Sequence, residues 1–200
     1  MFKSNYFKIF MKLNKINYGR NLNLFGIPVI FKKNGSVLKI GDNCSIKSSF
    51  LSNLIGLSQR TVIVARTKEA EIEIGDNVGI SGATIYARKG IYIGENTAIG
   101  ANCKILDNDF HPVNEEERLR LLKDVQGGDA REIIPTKAIY IGKNWFIGCN
   151  SIILKGTSLG DGCVVGAGAV VSGKFEDNCM IVGNPAKVVK KIMWGKYVYY

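Results

Sequence analysis

Histidine, proline and paired cysteines are what this chain has least of. One histidine in 200 residues leaves nothing from which to build a three-imidazole zinc centre. The five cysteines, Cys44, Cys103, Cys149, Cys163 and Cys179, contain no C-x-x-C pair. An odd number without metal-like spacing also argues against a disulfide framework, so the expectation is reduced structural thiols and no metal. Only 4 prolines stand against 23 glycines, a balance that speaks for many tight turns rather than disorder. No apolar run approaches the roughly 18 to 20 residues that cross a bilayer. Lysines interrupt any would-be signal core near the start, and no small-residue cleavage site follows, so the expected location is the cytoplasm. Acid is missing from residues 1–41, which hold eight Lys and Arg, and from residues 187–200, which hold four Lys. The stretch between carries 15 basic against 17 acidic residues, so the net charge of +10 belongs to the two ends.

What is present is a repeat. From Ile141 an aliphatic residue returns every six positions, at Ile141, Ile147, Ile153, Leu159, Val165 and Val171, and glycine follows four of them. The cadence shows earlier at Ile40 and Ile46, at Ile74 and Ile80, and at Ile93, Ile99 and Ile105. A strict period of six fits neither a helix nor a plain strand, but it fits a short strand plus a turn. One inward aliphatic residue per hexad lines a core. Three hexads make one coil of a triangular solenoid, and stacked coils pair as parallel strands. The chain is long enough for one such domain and its core. The expected fold is therefore an all-β solenoid over residues 20–183, after a basic segment at 1–19 and before a short helix and tail at 184–200.

The cadence breaks after Ile105 and resumes at Ile139, leaving a charged excursion at about 107–137. A long loop inside a compact repeat is usually functional or disordered. This one holds His111, the sole histidine, after Asp107 and Asp109 and before Pro112. A lone histidine on a loop is most often just solvated, and the aspartates beside it suit turn caps as well as catalysis.

The hexads resemble those of the hexapeptide-repeat acyltransferases, and the resemblance covers residues 20 to 190. It implies a left-handed parallel β-helix, against the usual right-handed crossover. The segment DNDFHPVNEEER is similar to the H-P-x-x-x-x-x-R stretch of the maltose, galactoside and nodulation-factor O-acetyltransferases. ISGATIYARKGIYIGENTAIGANCKILDNDFHP is closer to the O-acetyltransferases of capsule and exopolysaccharide clusters. The resemblance makes His111 the general base for a sugar hydroxyl. That chemistry needs a group titrating near pH 7. Asp109, or alternatively Asp107, orients the imidazole. Ser81, Asp107 and Arg118 are expected among the acceptor contacts.

The ending GNPAKVVK resembles the G-x-P-A-[KR]-x-[IV]-[KR] terminus of sugar and serine acetyltransferases. It implies acetyl-CoA as co-substrate, with contacts at Phe146, Cys149, Ala167, Ser172, Lys187 and Lys190. Phe146 and Cys149 depart from the family's usual Trp and Ser; Trp145 stands next to the first, and the second loses a hydroxyl contact. Small residues at Gly166–Ala169 leave room for pantetheine, and lysines suit the nucleotide's phosphates. The resemblance further implies a homotrimer with the donor groove between subunits.

In the N-terminal segment Phe2, Tyr6, Ile9, Phe10, Leu13 and Ile16 follow helical spacing, with Lys8, Lys12 and Lys15 between them. Two readings fit equally: a membrane-surface helix that brings the enzyme to the inner face of the membrane, or a cap over the first coil. Nucleic acid is excluded as a partner, because the repeat core is not basic. Three rival functions are weighed. A zinc lyase on the same coils needs three histidines. A non-catalytic scaffold leaves His111 and the C-terminal signature without purpose. N-acetylation of a nucleotide-linked amino sugar needs the same base and donor.

Overall fold

The computed structural model describes residues 2–123 and 133–193, with side chains from Phe7 onward. Each hexad aliphatic named above points inward and is buried. Burying one such isoleucine stabilises the fold by about 1.5–3 kcal/mol, so the stacked column holds the prism together. The strands are only two to six residues long and form three sheets. Face A has seven strands, from Asn17–Tyr18 to Lys174–Phe175. Face B has eight, from Asn23–Phe25 to Ala186–Lys191, and face C has six, from Val29–Lys32 to Val170–Val171. A strand pairs in parallel with the one three further along the chain, as Ile93 does with Ile141 and Ile99 with Ile147. The result is a left-handed parallel β-helix with three edges, A–B, B–C and C–A.

The A–B edge explains the asparagines. Asn21, Asn43, Asn77, Asn96 and Asn144 all have positive φ, between 55° and 60°. Asparagine tolerates this left-handed conformation better than other side-chain-bearing residues. Their amides stack into a ladder, Asn77 donating to Asn96 at 2.9 Å and Asn96 to Asn144 at 3.1 Å. Close stacking also dictates glycine. A Cβ on Gly100 would stand 2.6 Å from the Ile147 carbonyl oxygen of the next coil.

The N-terminus takes one of its two expected forms, whereas the C-terminus differs. The N-terminal segment is a helix, α1 (Phe2–Leu13), but its anchor is Met11, which is fully buried. Ile9, Phe10 and Leu13 of the expected apolar stripe are 55%, 41% and 78% exposed. Lys15 takes a left-handed φ of 52° and Ile16 donates back to the Met11 carbonyl at 2.9 Å, which turns Ile16 into the core as well. The helix therefore caps the first coil. At the other end, no helix begins after Pro185 among the described residues, and the last part of the expected helix and tail, residues 194–200, lies outside them. Residues 186–191 instead form a strand that turns back antiparallel on Cys179–Gly183. Its Val188–Val189 pair is β-branched, which favours strand over helix, and the free edge of face B offers the partners.

Two excursions leave the prism. One leaves the C–A edge after Lys104–Leu106, carries helix α2 (Glu115–Lys123), and rejoins the coil at Ile139. The other, residues 48–61, leaves the B–C edge and contains a 3₁₀ turn at Phe50–Ser52.

Candidate functional site

The C–A excursion is rooted by Asp107. Its carboxylate is fully buried and accepts the backbone N–H groups of Arg88 at 2.8 Å, Lys89 at 2.7 Å and Gly90 at 2.8 Å, plus the Asn108 amide at 3.1 Å. Burial pushes its pKa up, against the pull of those donors, and the net direction is upward. Asp107, expected among acceptor contacts, thus binds the turn of the coil below and lies beneath the surface. Asn108 accepts the Phe110 N–H at 3.0 Å, and Phe110 takes a left-handed φ of 61° with its ring against Tyr86. The chain then turns outward at His111, whose N–H donates to the Asp109 carbonyl at 2.7 Å.

His111 is exposed, and among the described residues its imidazole makes no hydrogen bond. Its turn is nevertheless held from several sides. Pro112 is buried beside it. Arg118, on α2, donates to the Val113 carbonyl at 2.8 Å and to that of Pro112 at 3.4 Å. Asn114 caps α2 by accepting the Glu117 N–H at 3.0 Å, and Glu115, Glu116 and Glu117 sit favourably in its first turn. The Asp109 carboxylate pairs with Lys155 at 2.7 Å rather than with the imidazole. Lys155 lies on the C–A turn of the coil above, so the ion pair ties the histidine turn to the prism.

The expected donor residues gather elsewhere. Phe146 points outward from face B and is 54% exposed, whereas Trp145 is turned inward and donates to the Gly160 carbonyl at 2.7 Å. Of the two aromatics, only Phe146 presents its ring at the surface of face B. Cys149 and Ala167 stack on the B–C edge, where Gly168 N–H donates to the Cys149 carbonyl at 2.9 Å. Lys187 and Lys190 stand exposed on the returning strand of face B. Ser172 is exposed on the C–A edge, whereas Ser81, expected among the acceptor contacts, is buried on face B, away from the His111 turn. Within one chain, face C separates His111, Asp109 and Ser172 from Cys149 and Ala167.

The 48–61 excursion is one that the hexad reading passes over. It lies against the same B–C edge, with Asn102 accepting the Ser58 N–H at 2.9 Å and donating to the Gly56 carbonyl at 3.1 Å. Phe50, Leu51, Leu54 and Ile55 are exposed along it. The missing hexad hits between Ile46 and Ile63 are the signal that could have found it. Lys155 carries no such signal, because its partner is visible only in three dimensions. Among the described residues no three His, Cys, Asp or Glu side chains gather as a metal site, and no helix is long and apolar enough to cross a membrane.

Residues 138–172 match the family model described as the hexapeptide repeat of succinyl-transferase. WbbJ of Escherichia coli K12, named for O-acetyl transfer in lipopolysaccharide biosynthesis, is 51% identical over 39 residues, 20% of this chain and 20% of its own length. A protein of Mycobacterium tuberculosis named as a probable acetyltransferase is 55% identical over 38 residues, 19% of this chain and 13% of its own. The matches thus span a fifth or less of those relatives. Among solved structures, the N-acyltransferase AntD of Bacillus cereus, in complex with dTDP and coenzyme A, gives a TM-score of 0.69 at 19% identity, over 94% of this chain and 89% of that one. The polySia-specific acetyltransferase NeuO gives 0.64 at 22% identity, over 90% and 78%. At these identities the likeness is one of fold.

Proposed function

We propose, from the match of residues 138–172 to the hexapeptide-repeat model, that the chain transfers an acetyl group from acetyl-CoA to a sugar hydroxyl, with His111 as general base. The observation that carries this reading is the exposed imidazole on a turn fixed by Asp107, Arg118 and the Asp109–Lys155 pair. A base must be free to meet its substrate yet held in one place. As the hydroxyl oxygen attacks the thioester carbonyl, the imidazole takes its proton. The tetrahedral oxyanion then collapses, the C–S bond breaks, and the imidazolium returns the proton to the departing sulfur, giving the O-acetyl sugar and free CoA.

Acetyl-CoA lies, on this reading, along the B–C edge over Cys149 and Ala167, with Phe146 beside it and the nucleotide phosphates toward Lys187 and Lys190. Because face C keeps that edge from His111 within one chain, a ring of three copies supplies the missing contact: the C–A edge of one copy meets the B–C edge of the next. Asp109 acts through Lys155 and the turn backbone, which makes it a positioning residue. The exposed Ile9, Phe10 and Leu13 among lysines also suit loose contact with the inner face of a membrane.

The test is thiol release from acetyl-CoA across free, nucleotide-linked and oligosaccharide acceptors, comparing wild type with His111→Ala. Acceptor-dependent turnover that falls about 100-fold or more in the variant, with unchanged melting, supports the assignment. Failure to bind or turn over acetyl-CoA with any acceptor overturns it. A product that survives hydroxylamine is an amide, and would move the activity to N-acetylation.

A further inference from the structure

Face A carries a feature that acetyl transfer at the C–A edge does not use. Its outward positions in successive coils hold Lys39, Glu73, Tyr92, Tyr140 and Ser158, aligned by the parallel register. The rings of Tyr92 and Tyr140 stack with centroids 5.0 Å apart and planes 8° from parallel. From below the pair is tied down: Tyr92 donates its hydroxyl to Glu71 at 2.7 Å, and Lys39 pairs with Glu73 at 2.6 Å. From above it is open. Tyr140 is 53% exposed, its hydroxyl makes no hydrogen bond among the described residues, and the next position up is only a serine. Beside the column runs a groove of about 490 Å³ along the A–B edge, lined by Lys39, Glu73, Asp76, Tyr92 and Tyr140 among others.

A preorganised aromatic face with polar acceptors beside it has a definite chemical taste. The negative face of the ring attracts the polarised C–H groups on one side of a pyranose, and the Ser158 hydroxyl on the rung above can hydrogen-bond the sugar's hydroxyls. Little side-chain entropy is lost on binding, because stacking and the Glu71 contact have already ordered the rings. Glu73 and Asp76 against Lys39 in the groove lining, with exposed Lys174 one rung above Ser158, leave no excess of either charge, which suits an uncharged glycan. The position also fits. Tyr140 is three residues beyond Lys137, whose N–H donates to the Asp107 carbonyl at 2.9 Å at the root of the His111 excursion. Three residues of strand are about 10 Å, within reach of a short oligosaccharide.

We propose that the open face of Tyr140 is a binding subsite for one sugar ring of an uncharged oligosaccharide acceptor, whose reacting hydroxyl extends toward His111. This deepens the reading of a sugar acceptor and rests on it. The subsite makes the chain prefer acceptors longer than a disaccharide.

The experiment titrates the full chain, labelled with ring-¹³C tyrosine, with maltohexaose, cellohexaose and N-acetylated chitohexaose and with their disaccharides. Two variants accompany it: Tyr140→Ala removes the platform, and Ser158→Leu keeps the tyrosine but fills the space above it. The expected result is that at least one hexasaccharide shifts the Tyr140 ring resonances and binds at least tenfold more weakly to both variants, with acetyl-CoA binding unchanged. If no hexasaccharide perturbs Tyr140, if both variants bind as wild type does, or if Tyr140→Ala instead breaks apart an oligomer, the inference fails. Acetyl-CoA turnover measured on the same samples keeps the two readings apart. Turnover that is indifferent to Tyr140 and Ser158 sinks the subsite alone, whereas hexasaccharide binding at Tyr140 without any turnover sinks the transferase and leaves the subsite.

Discussion

The A–B and C–A edges of the same prism are built on opposite plans. Along A–B every coil turns in the same way, with a left-handed residue in all seven: five asparagines, then Gly162 and Asn178. Along C–A the turns vary: three take a left-handed glycine, at Gly35, Gly156 and Gly173, others take none, and one opens into the excursion that holds the sole histidine. The regular edge is a ladder in which each turn satisfies its neighbour, so it carries stability. The irregular edge spends some of that stability on a fixed but exposed imidazole. The proposed function therefore sits where the repeat stops repeating, on a scaffold whose rigidity comes from where it does not.

That contrast can be attacked from both sides. The largest effect should come from the core common to all edges: Ile147→Ala, at a fully buried hexad position, should cost about 2–5 kcal/mol in chemical unfolding. Breaking the irregular edge should leave stability alone. Lys155→Met removes a half-exposed ion pair, so melting should barely move, while turnover falls roughly tenfold because the His111 turn is freed. Asp109→Asn should give the same loss, and the double variant no more than either single one. Breaking the regular edge should do the reverse. Asn96→Ala, in a left-handed turn with two ladder bonds, should cost about 1–2 kcal/mol with turnover per folded molecule unchanged, whereas Asn96→Gly should cost less. The smallest effect concerns pH. The Tyr92 phenol is pushed up to about 12, first by its hydrogen bond to Glu71 and then by burial. Unfolded tyrosine ionises near pH 10, so the folded state keeps the proton longer and stability falls as pH rises from about 10 to 12. In Tyr92→Phe the melting temperature should fall less steeply across that window.

The hexads make the fold legible because neither a helix nor a long strand turns an aliphatic residue inward at every sixth position, and each of those residues is buried. The neighbourhood of His111 is legible as a cluster but not as a geometry. Asp107 and Asp109 look interchangeable in the sequence, yet one lies under the turn bonded to three backbone N–H groups and the other faces Lys155 from the next coil. Which aromatic faces outward, Trp145 or Phe146, depends on the register of a two-residue strand, and adjacent residues alternate sides. The C-terminal strand is hidden for a similar reason. Its lysines suit a helix end, but the open edge of face B supplies hydrogen-bond partners that local propensity cannot see.

That returning strand has one more consequence. A stack of parallel strands ends, by its nature, in a surface that invites another molecule to continue it, and repetition of that step grows a filament. Here the final rung of face B runs the wrong way and presents Lys187, Lys190 and Lys191. At the other end α1 lies across the mouth of the first coil. The last described rung of face B is therefore no template that a second prism could copy. On that face the described solenoid thus stops at a strand that reverses direction, not at one more hexad waiting for a neighbour.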